Sequence, residues 1–173
     1  DNTVFTRNRF AGGEGGNFVL NARQDFSQLV DGVEITDNTF EDSTGTGTTV
    51  VQAAGFTNAN ISGNSFDNIG EDAVRLAGDV SGTEVTNNEF SNYAQDSGFS
   101  AGAIIANDAS GDNVDVSGNQ FNDAGGENVY VAAFNRNDPA ALDLGTIASN
   151  NNFDTAVVSG DTFIAPDAGQ DEV

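Results

Sequence analysis

Ile61-Ser62-Gly63-Asn64-Ser65-Phe66 is one of several copies of a single hexapeptide: apolar, Ser/Thr, any, Asn/Asp, any, Phe. The strict copies also include Phe5-Thr6-Arg7-Asn8-Arg9-Phe10, Ile35-Thr36-Asp37-Asn38-Thr39-Phe40 and Val85-Thr86-Asn87-Asn88-Glu89-Phe90. Val116-Ser117-Gly118-Asn119-Gln120-Phe121 and Val158-Ser159-Gly160-Asp161-Thr162-Phe163 complete them. Their closing Phe residues lie 30, 26, 24, 31 and 42 positions apart. A weaker copy, Ala148-Ser149-Asn150-Asn151-Asn152-Phe153, divides the last gap into 32 and 10. Ten residues are too few for a full coil, so one of the last two copies is expected to stand outside the regular repeat.

Working outward from the motif, the residues before each copy alternate as a strand does. Val33-Glu34-Ile35, Ala59-Asn60-Ile61 and Val114-Asp115-Val116 put apolar side chains on one face and polar ones on the other. The pattern then breaks at Asn, a residue that tolerates left-handed backbone, so a sharp bend is expected there. Phe turns inward again after the bend. A second apolar segment recurs in each repeat: Phe18-Val19-Leu20, Val50-Val51, Val74-Arg75-Leu76, Ile104-Ile105 and Val129-Tyr130-Val131. Gly12 to Gly16 and Gly125-Gly126 supply further corners.

Short strands in repeats of about 25 to 30 residues, with no helical periodicity, describe a solenoid. From Phe5 to Phe163 the chain resembles the pectate-lyase-like proteins built from short parallel β-helix repeats. That resemblance implies an all-β, right-handed parallel β-helix of about six to seven rungs. Residues 1–165 would form the solenoid and 166–173 an acidic tail. At about 4.8 Å per rung the rod would be on the order of 30 Å long. Phe10, Phe40, Phe66, Phe90 and Phe121 would stack as an internal aromatic ladder. Asn8, Asn38, Asn64, Asn88 and Asn119 would form a hydrogen-bonded ladder along one corner.

Composition narrows the chemistry. The 173 residues carry 27 acidic and 5 basic side chains, a formal net charge of −22, and no His, Cys, Met or Trp. All five basic residues are Arg. Thiolate or imidazole metal sites, disulfides and catalysis through His, Cys or Lys are excluded. Nucleic acid is not an expected partner for a surface of like sign, and no apolar run is long enough to cross a bilayer. Disorder is countered by 37% hydrophobic residues and 13 Phe. A folded domain with a scattered acidic coat and no Lys resembles proteins of extreme halophiles, in which molar salt screens self-repulsion to within about 3 Å.

Polysaccharide-cleaving and epimerising members of the resembled family work on the outer face of the stacked strands. Mid-rod, Asp72 and Arg75 in Gly70-Glu71-Asp72-Ala73-Val74-Arg75-Leu76 are the candidate catalytic residues, together with Glu127 in Glu127-Asn128-Val129-Tyr130-Val131. With Val74 and Leu76 inward, Arg75 faces out, and Tyr130 is expected in the same column; Arg75 and Tyr130 are the candidate sugar contacts. Asp72 and Glu127 would lie about two rungs, roughly 10 Å, apart, near the upper limit for an inverting carboxylate pair. The Asn-Thr-Asp, Gly-His-Gly and Arg-Ile-Lys motifs of the pectin hydrolases are missing, as are the clustered cations of the lyases. Asn107 to Asp115 packs Asp108, Asp112 and Asp115 into nine residues, a candidate Ca2+ loop without the spacing of known calcium repeats. No other cofactor is expected. Glu34, Asn60, Glu84 and Asp115 should share one outward column, with Glu84 and Asp115 as next-rung neighbours.

A solenoid normally carries caps, because a bare terminal rung is an open sheet edge. The first motif begins at Phe5 with no amphipathic helix before it, and the last closes at Phe163 before a short acidic tail, so the chain is read as part of a longer protein or as a unit meeting copies of itself end to end. The resulting expectation is a structural, extracellular or cell-surface segment of a halophilic surface protein, filament or spike, with polysaccharide as a possible ligand class. The alternative is a carbohydrate-active enzyme of the lyase, epimerase or hydrolase type. An enzyme should wall its patch with the insertions at 91–103 and 132–147.

Overall fold

The computed structural model of the chain describes residues 3–12, 20–21, 29–45, 49–93, 102–122, 129–134, 142–154, 157–159 and 163–166. The first coil holds β1 (Val4–Thr6), β2 (Arg9–Ala11) and β3 (Leu20–Asn21). After β4 (Val30–Asp31) the second holds β5 (Glu34–Thr36), β6 (Thr39–Ser43) and β7 (Thr49–Ala54). After β8 (Phe56–Thr57) the third holds β9 (Asn60–Ser62), β10 (Ser65–Ile69) and β11 (Asp72–Asp79). The fourth holds β12 (Glu84–Thr86), β13 (Glu89–Tyr93) and β14 (Gly102–Ser110), and the fifth β15 (Asp115–Ser117), β16 (Gln120–Asn122) and β17 (Val129–Phe134). Helix α1 (Leu144–Asn150), β18 (Asn152–Phe153), β19 (Val157–Ser159) and β20 (Phe163–Pro166) follow.

Corresponding strands stack in parallel into three sheets. The first sheet is β1-β5-β9-β12-β15, the second β2-β6-β10-β13-β16-β18, and the third runs β3-β7-β11-β14-β17 before ending in β20 and β19. This is an all-β parallel solenoid. Four successive coils, those of β5–β7, β9–β11, β12–β14 and β15–β17, carry all three sides at length, and β3 in the first coil has two residues. The expected six to seven rungs therefore reduce to about four complete turns with partial ones at the two ends.

The hexapeptide fixes the register. Phe5, Ile35, Ile61, Val85 and Val116 align across the first sheet, and Phe10, Phe40, Phe66, Phe90, Phe121 and Phe153 across the second. The rings stack at 4.9 to 5.0 Å with interplanar angles of 6 to 14°. That spacing is the strand separation itself, so each ring gains offset-stacking contact without leaving its rotamer. Val51, Val74, Ile104 and Val131 close the core from the third sheet, all fully buried.

The corner beside Phe is held by asparagine side chains. The backbone N–H of Asn38 donates to Asn64 Oδ1 at 2.9 Å, and Asn38 Nδ2 donates to the same oxygen at 3.1 Å and to the Phe5 carbonyl at 2.9 Å. The same three bonds recur from Asn64 onto Asn88, from Asn88 onto Asn119 and from Asn119 onto Asn151. Asn38, Asn64, Asn88 and Asn119 are at most 2% exposed, yet both amide hydrogens and both oxygen lone pairs are satisfied. The left-handed residue is not this Asn but the one before it: Arg7, Asp37, Gly63, Asn87 and Gly118 have φ of 54 to 67°. The expected bend is thus displaced by one residue, because the ladder Asn needs ordinary strand-like backbone to aim its amide along the stack.

The two disputed motif copies separate cleanly. Phe153 stacks on Phe121 and Asn151 extends the ladder, whereas Val158 and Phe163 fall on β19 and β20, an antiparallel pair, with β20 antiparallel to β17. Helix α1, which the sequence reading did not foresee, takes the place of a sixth strand in the first sheet. Asp143 caps it, accepting from the Thr146 N–H at 3.2 Å, and Leu144 and Ile147 are buried against the core. The solenoid therefore ends in a helix and an antiparallel strand, correcting the expectation of two bare ends.

Replacing Asn64 with Ala would strip hydrogen bonds from three coils at once and should cost about 3 to 5 kcal/mol. Asp67→Ala, which removes one exposed bond from Asn92, should cost less than about 1 kcal/mol. Urea unfolding in molar KCl measures both, and equal losses would contradict the ladder's structural role.

Candidate functional site

Asp72 opens β11 opposite Thr49 of β7. Its side chain is fully buried, at 0% exposure, while that of Arg75, three residues on, is 29% exposed. Val74 and Leu76 point into the core, so Arg75 lies on the outer face, as expected. Its guanidinium folds back along the strand: Nε donates to Asp72 Oδ2 at 2.7 Å and Nη2 makes an ion pair with the same oxygen. Thr49 Oγ1 donates to that oxygen from 3.4 Å. Among the described residues Asp72 Oδ1 has no hydrogen bond of good geometry, and the Gly102 N–H acts on the carboxyl only as a weak donor.

Burial pushes the Asp72 carboxyl up from 3.8 to about 6, against the opposing pull of the Arg75 charge and hydrogen bond; the neighbouring Glu71 adds to the rise. A buried ion pair of this kind contributes little net stability, but removing one partner leaves an uncompensated charge. Chemically, the arrangement is a half-protonated carboxyl near pH 6 held by a cation whose other side meets solvent.

The other expected members do not join it. Arg75 pairs in register with Gln52 and Ile105, and Ile105 with Ala132. The register thus carries Arg75's column to Ala132, not to Tyr130. Tyr130 is 1% exposed, its ring packs against Tyr93, Phe121 and Phe153, and its hydroxyl donates to Asp154 Oδ1 at 2.7 Å. It is a core residue rather than a sugar contact. Glu127 lies outside the described residues, and the position in Asp72's register two coils on is Val129. Most of both insertions expected to wall a groove, at 94–101 and 135–141, also lies outside them. Thr49 was missed, although Thr49-Val50-Val51 and Asp72-Ala73-Val74 place a polar residue at the same offset before the core valine.

The candidate calcium loop is spread around a corner. Asp112 is exposed in the turn after β14, and its N–H donates to Ser81 Oγ at 3.4 Å. Asp79 Oδ1 accepts from Ser81 Oγ at 2.6 Å and from its N–H at 3.0 Å, bonds that hold the Asp79 carboxyl below its usual range. The Asp108 side chain lies outside the described residues. Among those described, no three carboxylates gather as a metal-binding group. Asp115 instead pairs in register with Glu84, and Glu84 with Asn60, which pairs with Glu34, so the outward column is as expected. No helix among the described residues is long and apolar enough to cross a membrane.

Comparison of the chain with protein-family models, with curated proteins and with solved structures returned no match in any of the three. The reading of function therefore rests on the geometry.

The pH dependence of stability reports on Asp72. Its folded pKa is raised, so between about pH 4 and 6 the native state holds a proton that the unfolded chain has lost. Stability falls as pH rises through this window, by about 3 kcal/mol for a two-unit shift. Asp72→Asn should remove this part of the slope when wild type and variant are unfolded in urea at molar salt. Arg75→Ala should destabilise by about 3 kcal/mol at neutral pH and by much less near pH 4, where the carboxyl is already protonated.

Proposed function

We propose that this chain is a structural segment: a stiff, right-handed β-helix rod of the pectate-lyase-like kind, in an extracellular or cell-surface protein of a high-salt habitat. The observation that carries this reading is the occupation of its mid-rod polar groups by internal contacts. Arg75 is folded onto Asp72, Tyr130 is in the core, and the buried asparagines satisfy one another. What is left outward is carboxylate, as in the Glu84–Asp115 pairing, and such a face is hydrated and repels other acidic surfaces. The helix and antiparallel strand at one end favour a segment within a larger surface assembly or spike over a filament of stacked copies. Acidic polysaccharide would be repelled by this face, so neutral polysaccharide is the glycan class it could hold.

A second reading, a carbohydrate-active enzyme, is favoured by one feature. A carboxyl raised to about 6 is what a general acid working near neutrality requires. Assay of neutral and acidic polysaccharides with the chain, Arg75→Ala and Asp72→Ala decides between the two. The structural reading expects no turnover from any of them, and turnover lost in both variants would establish the enzyme.

The habitat makes its own prediction. With a net charge of −22 and like charges on adjacent coils, the urea midpoint should rise substantially from dilute buffer to molar KCl. An unfolding transition indifferent to salt would refute the high-salt assignment.

A further inference from the structure

The asparagine ladder has a direction. The oxygens of Asn38, Asn64, Asn88, Asn119 and Asn151 each accept a backbone N–H and a side-chain N–H from the coil before. Asn8 makes the same donations to Asn38, but its own Oδ1 receives none among the described residues, and its second amide hydrogen turns back to the Thr6 carbonyl at 3.1 Å. On either side of β1, the Arg7 N–H and the Thr3 carbonyl bond towards β5. By parallel-strand alternation the N–H and C=O groups of Val4 and Thr6 then face the other way, along the outer edge.

Two independent features mark the same edge. Leu29, 54% exposed, leads into β4, whose outer side pairs with no strand among the described residues, and Val4, 52% exposed, stands at the open end of the outward column of Glu34. Residues 3–12 contain two Arg and no acid in a chain that is otherwise strongly acidic. Arg9 keeps 69% of its side chain exposed while pairing with Glu41 of the next coil, and Arg7 is exposed too. At the opposite end, where α1 follows β15 and β20 runs antiparallel to β17, the described residues offer a further parallel strand only in the second sheet, β18.

We infer that the β1–β2 edge is a docking surface for one further acidic β-solenoid coil, the preceding rung of a longer parallel stack. It would set an amide donor over Asn8 Oδ1, an aromatic ring over Phe10 and carboxylates over Arg7 and Arg9. The inference deepens the rod-segment reading and rests on it. Asn rather than Asp is required at the ladder position of the incoming coil, because only an amide supplies the side-chain donor. A second copy of this chain fits poorly, since its opposite end presents only the two-residue β18, and the amide hydrogen that Asn151 would owe to Asn8 Oδ1 is already given to the Ile147 carbonyl.

The test uses a fluorescently labelled peptide with the sequence of residues 29–54, which carries the hexapeptide and several acids, as a stand-in for that rung. Its anisotropy is titrated with the full chain in molar KCl. Saturable binding is expected, weakened roughly tenfold by Asn38→Asp in the peptide. Binding should be abolished by Val4→Pro or Val4→Lys in the chain, two edge-blocking changes whose folding is checked by circular dichroism and urea midpoint. No binding, or binding unaffected by the folded Val4 variants, overturns the inference without touching the rod reading, which stands on turnover and salt response. Concentration-dependent self-association of the chain alone, lost in Val4→Lys, would overturn it in favour of a second copy.

Discussion

Everything else in the molecule depends on one buried side-chain amide per coil. An asparagine at a solenoid corner has two hydrogens to give and two lone pairs to fill, and no water at hand. The stack solves all four demands with groups that recur at the strand spacing: the next Asn oxygen, a carbonyl on the preceding coil, and two N–H groups from that coil. A shift of register by one residue would leave several of these buried groups unpaired at once. The ladder thus specifies register where hydrophobic alternation alone would leave it weakly determined.

Once register is set, the rest follows by repetition. The residue before each Asn must take left-handed backbone to turn the corner, which explains Gly at two of the five positions and tolerated Arg, Asp and Asn at the others. At Gly63 an added Cβ would sit 2.7 Å from Asp37 Oδ1, so the side chain of one coil's corner fills the space that the next coil's glycine leaves. The Phe two residues past each Asn then lands on its predecessor at ring-stacking distance.

The hexapeptide made the solenoid, both ladders and the outward acidic column legible in the sequence, because each follows from a pattern that stacking repeats. What was not legible lay where the repeat is broken. Helix α1 has two buried apolar residues, Leu144 and Ile147, too few to show a helical period, and it runs into the motif-like Ala148–Phe153. Tyr130 was placed outward by counting alternation from Val129. Asp72, Ala73 and Val74 are all buried in succession, so the period of two does not hold at the start of the third sheet. Parity counted there assigns the wrong face, and only the strand pairing restores it. Val158–Phe163 repeats the motif, but ten residues cannot encircle the core, so it pairs antiparallel instead.

The same constraint explains how so acidic a chain keeps a neutral spine. Of its 27 carboxylates, none occupies the ladder from Asn8 to Asn151, where Asp would be nearly isosteric. A carboxylate there could accept both N–H groups from the preceding coil but could not donate its own two bonds. It would leave a carbonyl and an oxygen unpaired and add a buried charge next to its equivalents a strand spacing away. Outward positions carry no such obligation, so Glu34, Glu84 and Asp115 can supply charge at a cost that salt relieves. Along these stacked corners acidity is thereby kept to the outward column, and the ladder itself carries no charge for salt to screen.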